Sequence, residues 1–265
     1  MAEQQRALDL HYTEAGQGMP VVLVHGFPFN HHIWDAQIAG LSAGYRVIAP
    51  DLRGFGESPA PDDGYSMDDF AADIVALLDR LGVDRAVWVG HSMGGYITFA
   101  ALRRWPERVS AVALVATHAQ PDSHEKKLQR EASADNAMIK GVSDTAFSMM
   151  GTIFASEVDR QGPMAQRIYD IMINTAPHAV AGALRGMAAR PDSRDVARAL
   201  SIPALVVAGE DDEAVDAKLT GELAQLIPGA QHIVIPGAGH MPMVEQPEAL
   251  TDTLRKFLEQ VAGSR

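Results

Sequence analysis

The residue best placed for chemistry in this chain is Ser92, the serine of a Gly-x-Ser-x-Gly pattern over residues 90–94. An apolar stretch, residues 87–89, runs into the pattern, and a helical stretch, residues 96–100, follows it. In such a strand-turn-helix the serine backbone is strained and its hydroxyl stands above the sheet, while the flanking glycines avoid Cβ collisions. We therefore predict that Ser92 is a nucleophile. The same pattern also occurs in turns whose serine only caps a helix, so the prediction depends on partners elsewhere in the chain.

A serine nucleophile needs a general base, and His240 has the best context among the ten histidines. It lies on the loop of residues 236–242, after the final predicted strand and before the last helix. A carboxylate that orients this histidine could come from the acidic loop of residues 209–213. Spacing alone leaves both Asp211 and Asp212 as candidates.

The remaining histidines are not expected to bind a metal ion. His31 and His32 are adjacent and should point apart, and His232 lies inside a predicted strand. No pair combines the spacing of metal ligands with a supporting carboxylate. The others are expected to be surface or core polar groups: His11, His118, His124 and His178. We therefore predict no metal site.

An oxyanion hole requires main-chain N–H groups close to the serine. The loop of residues 25–30 follows a predicted strand and should face the same crevice as Ser92, because ligands bind at the carboxyl ends of parallel strands. Gly26 leaves the N–H of Phe27 free to point at the site. The N–H of Met93, at the start of the helix after Ser92, would be the second donor. The side chain of His91 is expected to pack rather than to act as the base.

The elements that must position these residues alternate between strands and helices. Continuous β-branched stretches are typical of strands covered on both faces, and they recur at residues 20–24, 45–49, 86–89, 109–116, 203–208 and 232–235, after a half-buried strand pattern at 7–13. This alternation predicts an α/β fold with a mostly parallel, doubly wound sheet and helices on both faces. The clearest helix covers residues 66–81, with Ser66 as its N-cap and Gly82 as its stop.

Between residues 118 and 195 the β-branched stretches give way to helical patterns, which predicts a helical cap inserted into a core of residues 1–117 and 196–265. Methionine is flexible and can line an adaptable acyl pocket, although it more often fills gaps in a core. The predicted pocket residues are Met149, Phe154, Met172 and Met241. The loop of residues 51–59 lacks a complete phosphate-binding glycine pattern, so Asp51 and Arg53 are expected to make local structural hydrogen bonds.

The composition argues against several classes of partner. With 34 acidic and 22 basic residues the formal net charge is -12, which repels phosphate backbones and anionic lipids, so neither nucleic acid nor a membrane is an expected partner. There is no cysteine for a disulfide or a thiolate site. The first residues lack the apolar core of a signal peptide, and no stretch reaches the ~20 apolar residues of a membrane span, which predicts a cytoplasmic protein. No sequence feature indicates an oligomeric state.

A serine, an aspartate and a histidine in that order, each after a separate strand, resemble the α/β-hydrolase superfamily. The resemblance covers nearly the whole chain and rests on residues 24–28, 51–58, 90–95, 209–212 and 239–240. It implies that Asp212 is the orienting acid and that the helical stretch is a lid. The details are most similar to cap-bearing serine esterases, enol-lactonases and aryl perhydrolases. In that group the peptide before the oxyanion-loop proline can be cis, so a cis Phe27-Pro28 peptide is expected.

The resemblance implies hydrolysis of small to medium acyl or aryl esters, or of lactones, through an acyl-enzyme and without a cofactor. A small-molecule ester is thus the expected partner. Related dehalogenases and epoxide hydrolases carry an aspartate at the turn, so Ser92 argues against both reactions. Two alternatives stay open: acyl transfer to hydrogen peroxide, as in perhydrolases and haloperoxidases, and a non-catalytic binding protein of the same fold. The complete set of serine, aspartate and histidine argues against the second.

Overall fold

The structure is a computed structural model that describes residues 7–263. Within these residues seven strands form one sheet in the order β1-β3-β2-β4-β5-β6-β7. The strand β1 is antiparallel to β3, and all other neighbours are parallel. The strands are β1 (Tyr12–Ala15), β2 (Met19–Val24), β3 (Tyr45–Pro50), β4 (Ala86–His91), β5 (Val109–Val115), β6 (Ala204–Gly209) and β7 (Gln231–Ile235). The predicted mostly parallel α/β sheet is confirmed.

Helices cover both faces of the sheet because the central strands are apolar on both sides. Along β2, Val21 and Leu23 join one buried cluster, while Val22 and Val24 join the other. This alternation follows from the two-residue period of a strand. The helices are α1 (Asp35–Leu41), α2 (Met67–Arg80), α3 (Met93–Arg104), α4 (His124–Lys140), α5 (Ser143–Met150), α6 (Pro163–Ile173), α7 (Pro177–Ala189), α8 (Arg194–Arg198), α9 (Ala217–Leu226), α10 (Pro242–Glu245) and α11 (Pro247–Gly263).

The helix α2 begins as its sequence predicts. The hydroxyl of Ser66 accepts a hydrogen bond from the N–H of Asp69 at 3.1 Å, and the carboxylate of Asp69 accepts one from the N–H of Ser66 at 3.0 Å. This reciprocal capping box satisfies two N–H groups that the first turn of a helix leaves free. The helix ends before Gly82, whose φ of +63° suits a residue without a side chain.

The first strand is shorter than the sequence pattern predicts. Alternation predicts a strand over residues 7–13, whereas β1 begins at Tyr12. The carbonyl oxygen of His11 still accepts the N–H of Asp51, just after β3, at 2.9 Å. The N–H groups of this segment bond to side chains: that of Leu8 donates to Asp73 Oδ1 at 2.7 Å, and that of His11 donates to Ser58 Oγ at 2.9 Å. A periodicity of two reports which side chains are buried, and it cannot tell a ladder of strands from an extended segment held by side chains.

The segment between β5 and β6 contains helices α4 to α8 and no strand. The part of it predicted as a cap, residues 118–195, is termed the insert. Helix α4 packs along α7, and α5 packs on α6, so the insert has internal contacts of its own. Among the described residues, no helix has the length and apolar character needed to cross a bilayer.

The loop after β3 has the structural role expected for it, and Asp51 is its centre. Its Oδ1 accepts hydrogen bonds from the main-chain N–H of His31 at 2.8 Å and from the ring Nδ1 of the same residue at 2.7 Å. Its Oδ2 accepts from His11 Nδ1 at 3.0 Å and from the N–H of Glu57 at 2.9 Å. Farther along the loop, Arg53 Nε donates to Asp73 Oδ2 at 2.6 Å in a buried pair.

These contacts correct two expectations about the histidines. The rings of His31 and His32 do not point apart, since their centroids are 4.1 Å apart. The pair His11 and His31 does have a supporting carboxylate, because Asp51 lies between them and the potential ligand atoms are all within 4.8 Å of one another. Sequence spacing could not reveal this group, which the fold assembles from three separate segments. Hydrogen bonds already engage both Nδ1 atoms and both carboxylate oxygens, so we assign the group a structural role.

The His31–Asp51 pair gives the fold a defined pH dependence. Burial alone would lower the pKa of His31, but the hydrogen bond and charge of Asp51 outweigh it and raise that pKa above 6.5. Burial alone would raise the pKa of Asp51, but hydrogen bonds from His31 and from the N–H of Glu57 hold it well below 3.8. Stabilisation from His31 is therefore complete below its ordinary pKa and is lost as the pH rises through the higher folded value. Stabilisation from Asp51 is lost only in acid, as the pH falls through its lower folded value.

We expect the His31→Gln variant to show this pH dependence in its free energy of unfolding. Measured by urea denaturation, the loss relative to wild type should be larger at pH 6 than at pH 8.5, because only a protonated His31 forms an ion pair with Asp51. The matched control is His32→Gln, which changes the exposed neighbour that does not contact Asp51. A loss for His31→Gln that is equal at the two pH values would contradict the assignment.

Candidate active site

Ser92 lies in a sharp turn between β4 and α3. Its backbone has φ +51° and ψ −112°, a region that residues other than glycine rarely adopt. A Cβ at Gly90 would lie 2.5 Å from the carbonyl oxygen of Gly94, so the turn has no room for a larger residue there. The Ser92 side chain makes no capping hydrogen bond to α3. The structure therefore has the strained turn predicted for a nucleophile and lacks the bond that the capping interpretation requires.

His240 lies against Asp212. The two residues are joined by a contact of 2.9 Å between His240 Nδ1 and Asp212 Oδ2. Because a carboxylate oxygen only accepts, Nδ1 carries the hydrogen and the lone pair of His240 is on Nε2. The other carboxylate oxygen of Asp212 accepts the N–H groups of Ala214 at 2.9 Å and Val215 at 2.8 Å, which fixes its orientation. Asp211 instead uses its main-chain N–H to bond Ala238 at 2.9 Å.

His91 links the serine turn to the loop that carries His240. Its Nε2 donates to the carbonyl oxygen of His240 at 2.8 Å, so its Nδ1 is unprotonated. Burial lowers the pKa of His91 well below 6.5, and the ring stays neutral. A Cβ at Gly26 would lie 2.5 Å from His91 Nδ1, which shows how tightly the loop of residues 25–30 packs on this ring. His91 packs as expected, and it also makes a hydrogen bond that the sequence did not predict.

Glu245, a residue that sequence reasoning missed, holds the same loop from the other side. Its carboxylate accepts the N–H groups of Gly239 at 3.1 Å and Met241 at 2.9 Å, which flank His240. It also accepts the N–H of Ala155, in the insert, at 2.8 Å. Burial raises the pKa of Glu245 even though these donors act in the opposite direction. The N–H of His240 itself donates to the carbonyl oxygen of Ile153 at 3.0 Å, so the insert bonds both to the His240 loop and to the glutamate that holds it.

The two main-chain N–H groups predicted for an oxyanion hole are free in the described part of the chain. Phe27 N–H has no hydrogen-bond acceptor among residues 7–263, and Met93 N–H is the first of α3, where a helix offers no acceptor. The Phe27-Pro28 peptide is cis, as predicted. The buried ring of His25 shapes this loop by a contact of 2.8 Å with the carbonyl oxygen of Gly26. Burial lowers the pKa of His25 to about 4, so it remains neutral.

A cavity of about 830 Å³ opens over these groups. Its lining includes Phe27, Ser92 and His240 from the core, and Met149 from the insert. One part of the cavity wall is polar, because Tyr96 and His118 also line the cavity and Tyr96 Oη lies 3.0 Å from Nε2 of His118. His118 was expected to be an ordinary surface or core group.

Three of the four predicted pocket residues are not part of the cavity lining. Phe154, Met172 and Met241 are buried in the core cluster that contains Val21 and Leu23, where they pack among apolar side chains. Completely buried side chains offer no surface to a ligand, and filling gaps in a core is the commoner role of methionine. Met149 alone of the predicted set lines the cavity.

A serine turn and a histidine loop at the carboxyl ends of parallel strands, in this strand order, define an α/β-hydrolase. The chain belongs to the alpha/beta hydrolase fold family, which it matches over residues 19–247. Two solved structures are similar over most of their length. A thermophilic esterase from Thermogutta terrifontis with malate bound is 39% identical and has a TM-score of 0.93, with 96% of this chain and 94% of that chain covered. The enol-lactonase from Burkholderia xenovorans LB400 is 31% identical with a TM-score of 0.87, covering 94% and 96%.

Sequence relatives include proteins named for other reactions. A putative non-heme chloroperoxidase from Synechocystis sp. is 30% identical, with 97% of both chains covered. Epoxide hydrolase A from Mycobacterium tuberculosis is 30% identical, with 94% of both chains covered. Proteins with these different named reactions are all similar to this chain, so the choice among the reactions rests on the residues of the site.

Proposed function

We propose that this protein hydrolyses carboxylic esters through an acyl-enzyme formed on Ser92. One observation carries the proposal: Ser92, in its strained turn, and His240 line the same cavity, and Asp212 Oδ2 lies 2.9 Å from Nδ1 of that histidine. The combination supplies a nucleophile, a base with its lone pair on Nε2, and a carboxylate that fixes the tautomer. The substrate is a small-molecule ester or lactone, and residues 118–195 act as a cap that completes its pocket.

In the first half of the reaction, the Oγ of Ser92 attacks the ester carbonyl carbon while His240 Nε2 accepts its proton. Negative charge develops on the carbonyl oxygen, and the N–H groups of Phe27 and Met93 stabilise it. Loss of one such donor typically lowers kcat by about 10²–10³-fold. Asp212 stabilises the imidazolium that forms without itself being protonated. The bond from the acyl carbon to the alcohol oxygen then breaks, and His240 returns the proton to the departing alcohol.

In the second half, water replaces the alcohol. His240 takes a proton from the water as its oxygen attacks the acyl carbon, and then returns that proton to Ser92 Oγ as the acyl bond breaks. The carboxylic acid leaves and the serine is restored. Each proton transfer uses Nε2 of the same histidine, so the hydrogen bond between Nδ1 and Asp212 is maintained throughout.

Epoxide opening suits this site poorly, although an epoxide hydrolase is among the relatives. A serine oxygen that attacks an epoxide carbon would form an ether, which water and a histidine base cannot cleave. A carboxylate at that position would form an ester, which they can cleave. Ser92 is therefore matched to substrates whose covalent intermediate is an ester, namely carboxylic esters and lactones.

Reaction with a 4-nitrophenyl alkylphosphonate tests the proposal directly. We expect one equivalent of phosphonate on the intact protein, located on Ser92 by peptide mass spectrometry, with loss of 4-nitrophenyl ester hydrolysis in proportion to labelling. Prior incubation with a slowly hydrolysed ester should delay labelling. A panel of 4-nitrophenyl esters and lactones that gives no turnover would overturn the proposal and favour a binding protein of the same fold.

Acyl transfer to hydrogen peroxide is the second candidate, because one relative is named a putative non-heme chloroperoxidase. Hydrogen peroxide would attack the acyl-enzyme in place of water, and the product would be a peracid with Ser92 restored. The two reactions share every step up to the acyl-enzyme. The ratio of peracid to acid formed from one ester in the presence of peroxide separates them.

A further inference from the structure

The insert places two arginines on a single carboxylate beside the cavity. Asp122 pairs with Arg130 Nε through one oxygen and with Arg190 Nη1, at 2.8 Å, through the other. All three side chains are largely buried. Burial alone would raise the pKa of Asp122, but the two guanidinium groups hold it below 3.8, so the carboxylate stays charged. Two positive charges against one negative charge leave this cluster with one uncompensated positive charge.

The uncompensated charge is directed toward the cavity through Arg130. Arg190 is occupied: it donates to the carbonyl oxygens of Met187 at 2.8 Å and Gln120 at 3.0 Å, and its guanidinium lies 4.0 Å from the ring centroid of Tyr96. Arg130 lines the cavity, and among the described residues its Nη2 has no hydrogen-bond partner. A guanidinium nitrogen that has no protein partner and belongs to a residue lining the cavity can donate a charge-assisted hydrogen bond to an anion bound there.

A second positive charge lies on the same wall. Lys126, one helical turn before Arg130 on α4, also lines the cavity and pairs with no carboxylate in the described part of the chain. Residues four apart lie on one face of a helix, so the two cations face the cavity together. Besides Asp122, the lining contains one carboxylate, Glu213, which comes from the loop after β6 and forms no ion pair with either cation in the described part of the chain. Burial together with Arg190 lowers the pKa of His118 to about 4, which leaves that ring neutral.

We infer that the cavity takes esters whose acyl chain ends in a free carboxylate, that is, half-esters of dicarboxylic acids, with Arg130 and Lys126 binding the carboxylate. The inference rests on the proposed function and specifies its substrate class. We place the carboxylate on the acyl chain because that chain stays on Ser92 through both halves of the reaction, so binding it can assist both. The alcohol leaves after the first half. The chain as a whole has a net charge of -12, so the positive charge of Arg130 and Lys126 at the cavity does not follow from the overall composition.

The test compares two substrates that differ only at the acyl terminus: the 4-nitrophenyl half-ester of glutaric acid, and 4-nitrophenyl pentanoate, whose chain of the same length ends in a methyl group. We expect wild-type kcat/KM to be at least about tenfold higher for the glutarate ester, the effect of one charge-assisted hydrogen bond. Arg130→Gln should lower this preference by about 10–100-fold, and Lys126→Gln should lower it by a smaller factor.

Lys127→Gln is the matched control. It removes the same charge from the same helix, but Lys127 does not line the cavity, so the preference should stay within about twofold of wild type. Lys126 is exposed, and Lys126→Gln therefore keeps the test valid if Arg130→Gln fails to fold. Equal or lower kcat/KM for the glutarate ester in wild type, or equal effects of Lys126→Gln and Lys127→Gln, would overturn the inference. Ser92-dependent turnover of the pentanoate without a preference would leave the proposed function intact, whereas turnover of neither ester would refute that function.

Discussion

Replacing Ser92 with alanine is expected to lower kcat for 4-nitrophenyl esters by about 10⁶-fold, the scale seen when a serine nucleophile is removed. The alanine has no oxygen to form the acyl-enzyme, so His240 and the oxyanion donors would have only water to act on. The measurement is the initial rate of 4-nitrophenol release with enzyme concentrations high enough to detect the residual activity. A variant that retains more than about 1% of wild-type kcat would contradict the assigned nucleophile.

The substitution should leave the fold intact, which makes the result interpretable. Ser92 has a φ of +51°, and Ala116 already adopts a φ of +49° in this chain, so alanine can occupy such a backbone without a new kind of strain. The Ser92 hydroxyl makes no capping bond whose loss would destabilise α3. Ser133→Ala, which removes another hydroxyl from the cavity wall, is the matched control and should keep kcat within about threefold of wild type. Thermal melting of both variants would check their stability.

Asp212→Asn is the second change with a large expected effect, about 10⁴-fold on kcat. The Oδ1 of Asp212 accepts two main-chain N–H groups, from Ala214 and Val215. An asparagine would keep its oxygen at that position, and its NH₂ group would then face Nδ1 of His240. An amide donor there favours a lone pair on Nδ1 and moves the ring hydrogen to Nε2, which is the nitrogen that must accept the serine proton. The wrong tautomer, rather than a displaced ring, would cause the loss.

Asp211→Asn provides a control at the adjacent position. Asp211 contributes a main-chain bond to Ala238, which the substitution keeps, and we expect kcat within about threefold of wild type. A pH-rate profile for Asp212→Asn adds a readout that a structural change alone would not give. Enzyme-dependent activity should recover partly at high pH, where hydroxide can take the proton of Ser92 in place of His240. Similar losses for the two variants would argue against Asp212 as the orienting acid.

Local signals in the sequence were enough to predict the sheet and the serine turn. Strands buried on both faces leave continuous β-branched stretches, and a strained turn needs glycines at fixed positions around Ser92. The cap of α2 was predictable for the same reason, since Ser66 and Asp69 are three residues apart. His240 could be selected because the other histidines lie in worse local contexts, and the superfamily resemblance favoured Asp212.

The supports of the site could not be predicted because their partners are distant in the chain. His91 and His240 are 149 residues apart, and Glu245 and Ala155 are 90 residues apart. A glutamate in a short helix carries no local sign that its carboxylate binds a loop. The cavity wall posed the same problem, since Arg130 and Arg190 look like ordinary surface charges until the fold places them on one aspartate. Methionine content was a poor guide to the pocket because burial in a core and exposure to a ligand favour the same residue type.

The bonds around the His240 loop bear on how the insert could be exchanged between relatives. Residues 153–155 lie in the insert by sequence, yet the carbonyl oxygen of Ile153 holds the N–H of His240, and the N–H of Ala155 shares Glu245 with the loop. These two bonds tie the short segment to the loop that carries His240, the proposed base. A chimera that replaces the whole of residues 118–195 would therefore disturb proton transfer as well as substrate choice. Grafting α4 and α5 alone, up to Met150, would change the wall of the cavity and keep the hydrogen bonds of Ile153 and Ala155 that hold the His240 loop.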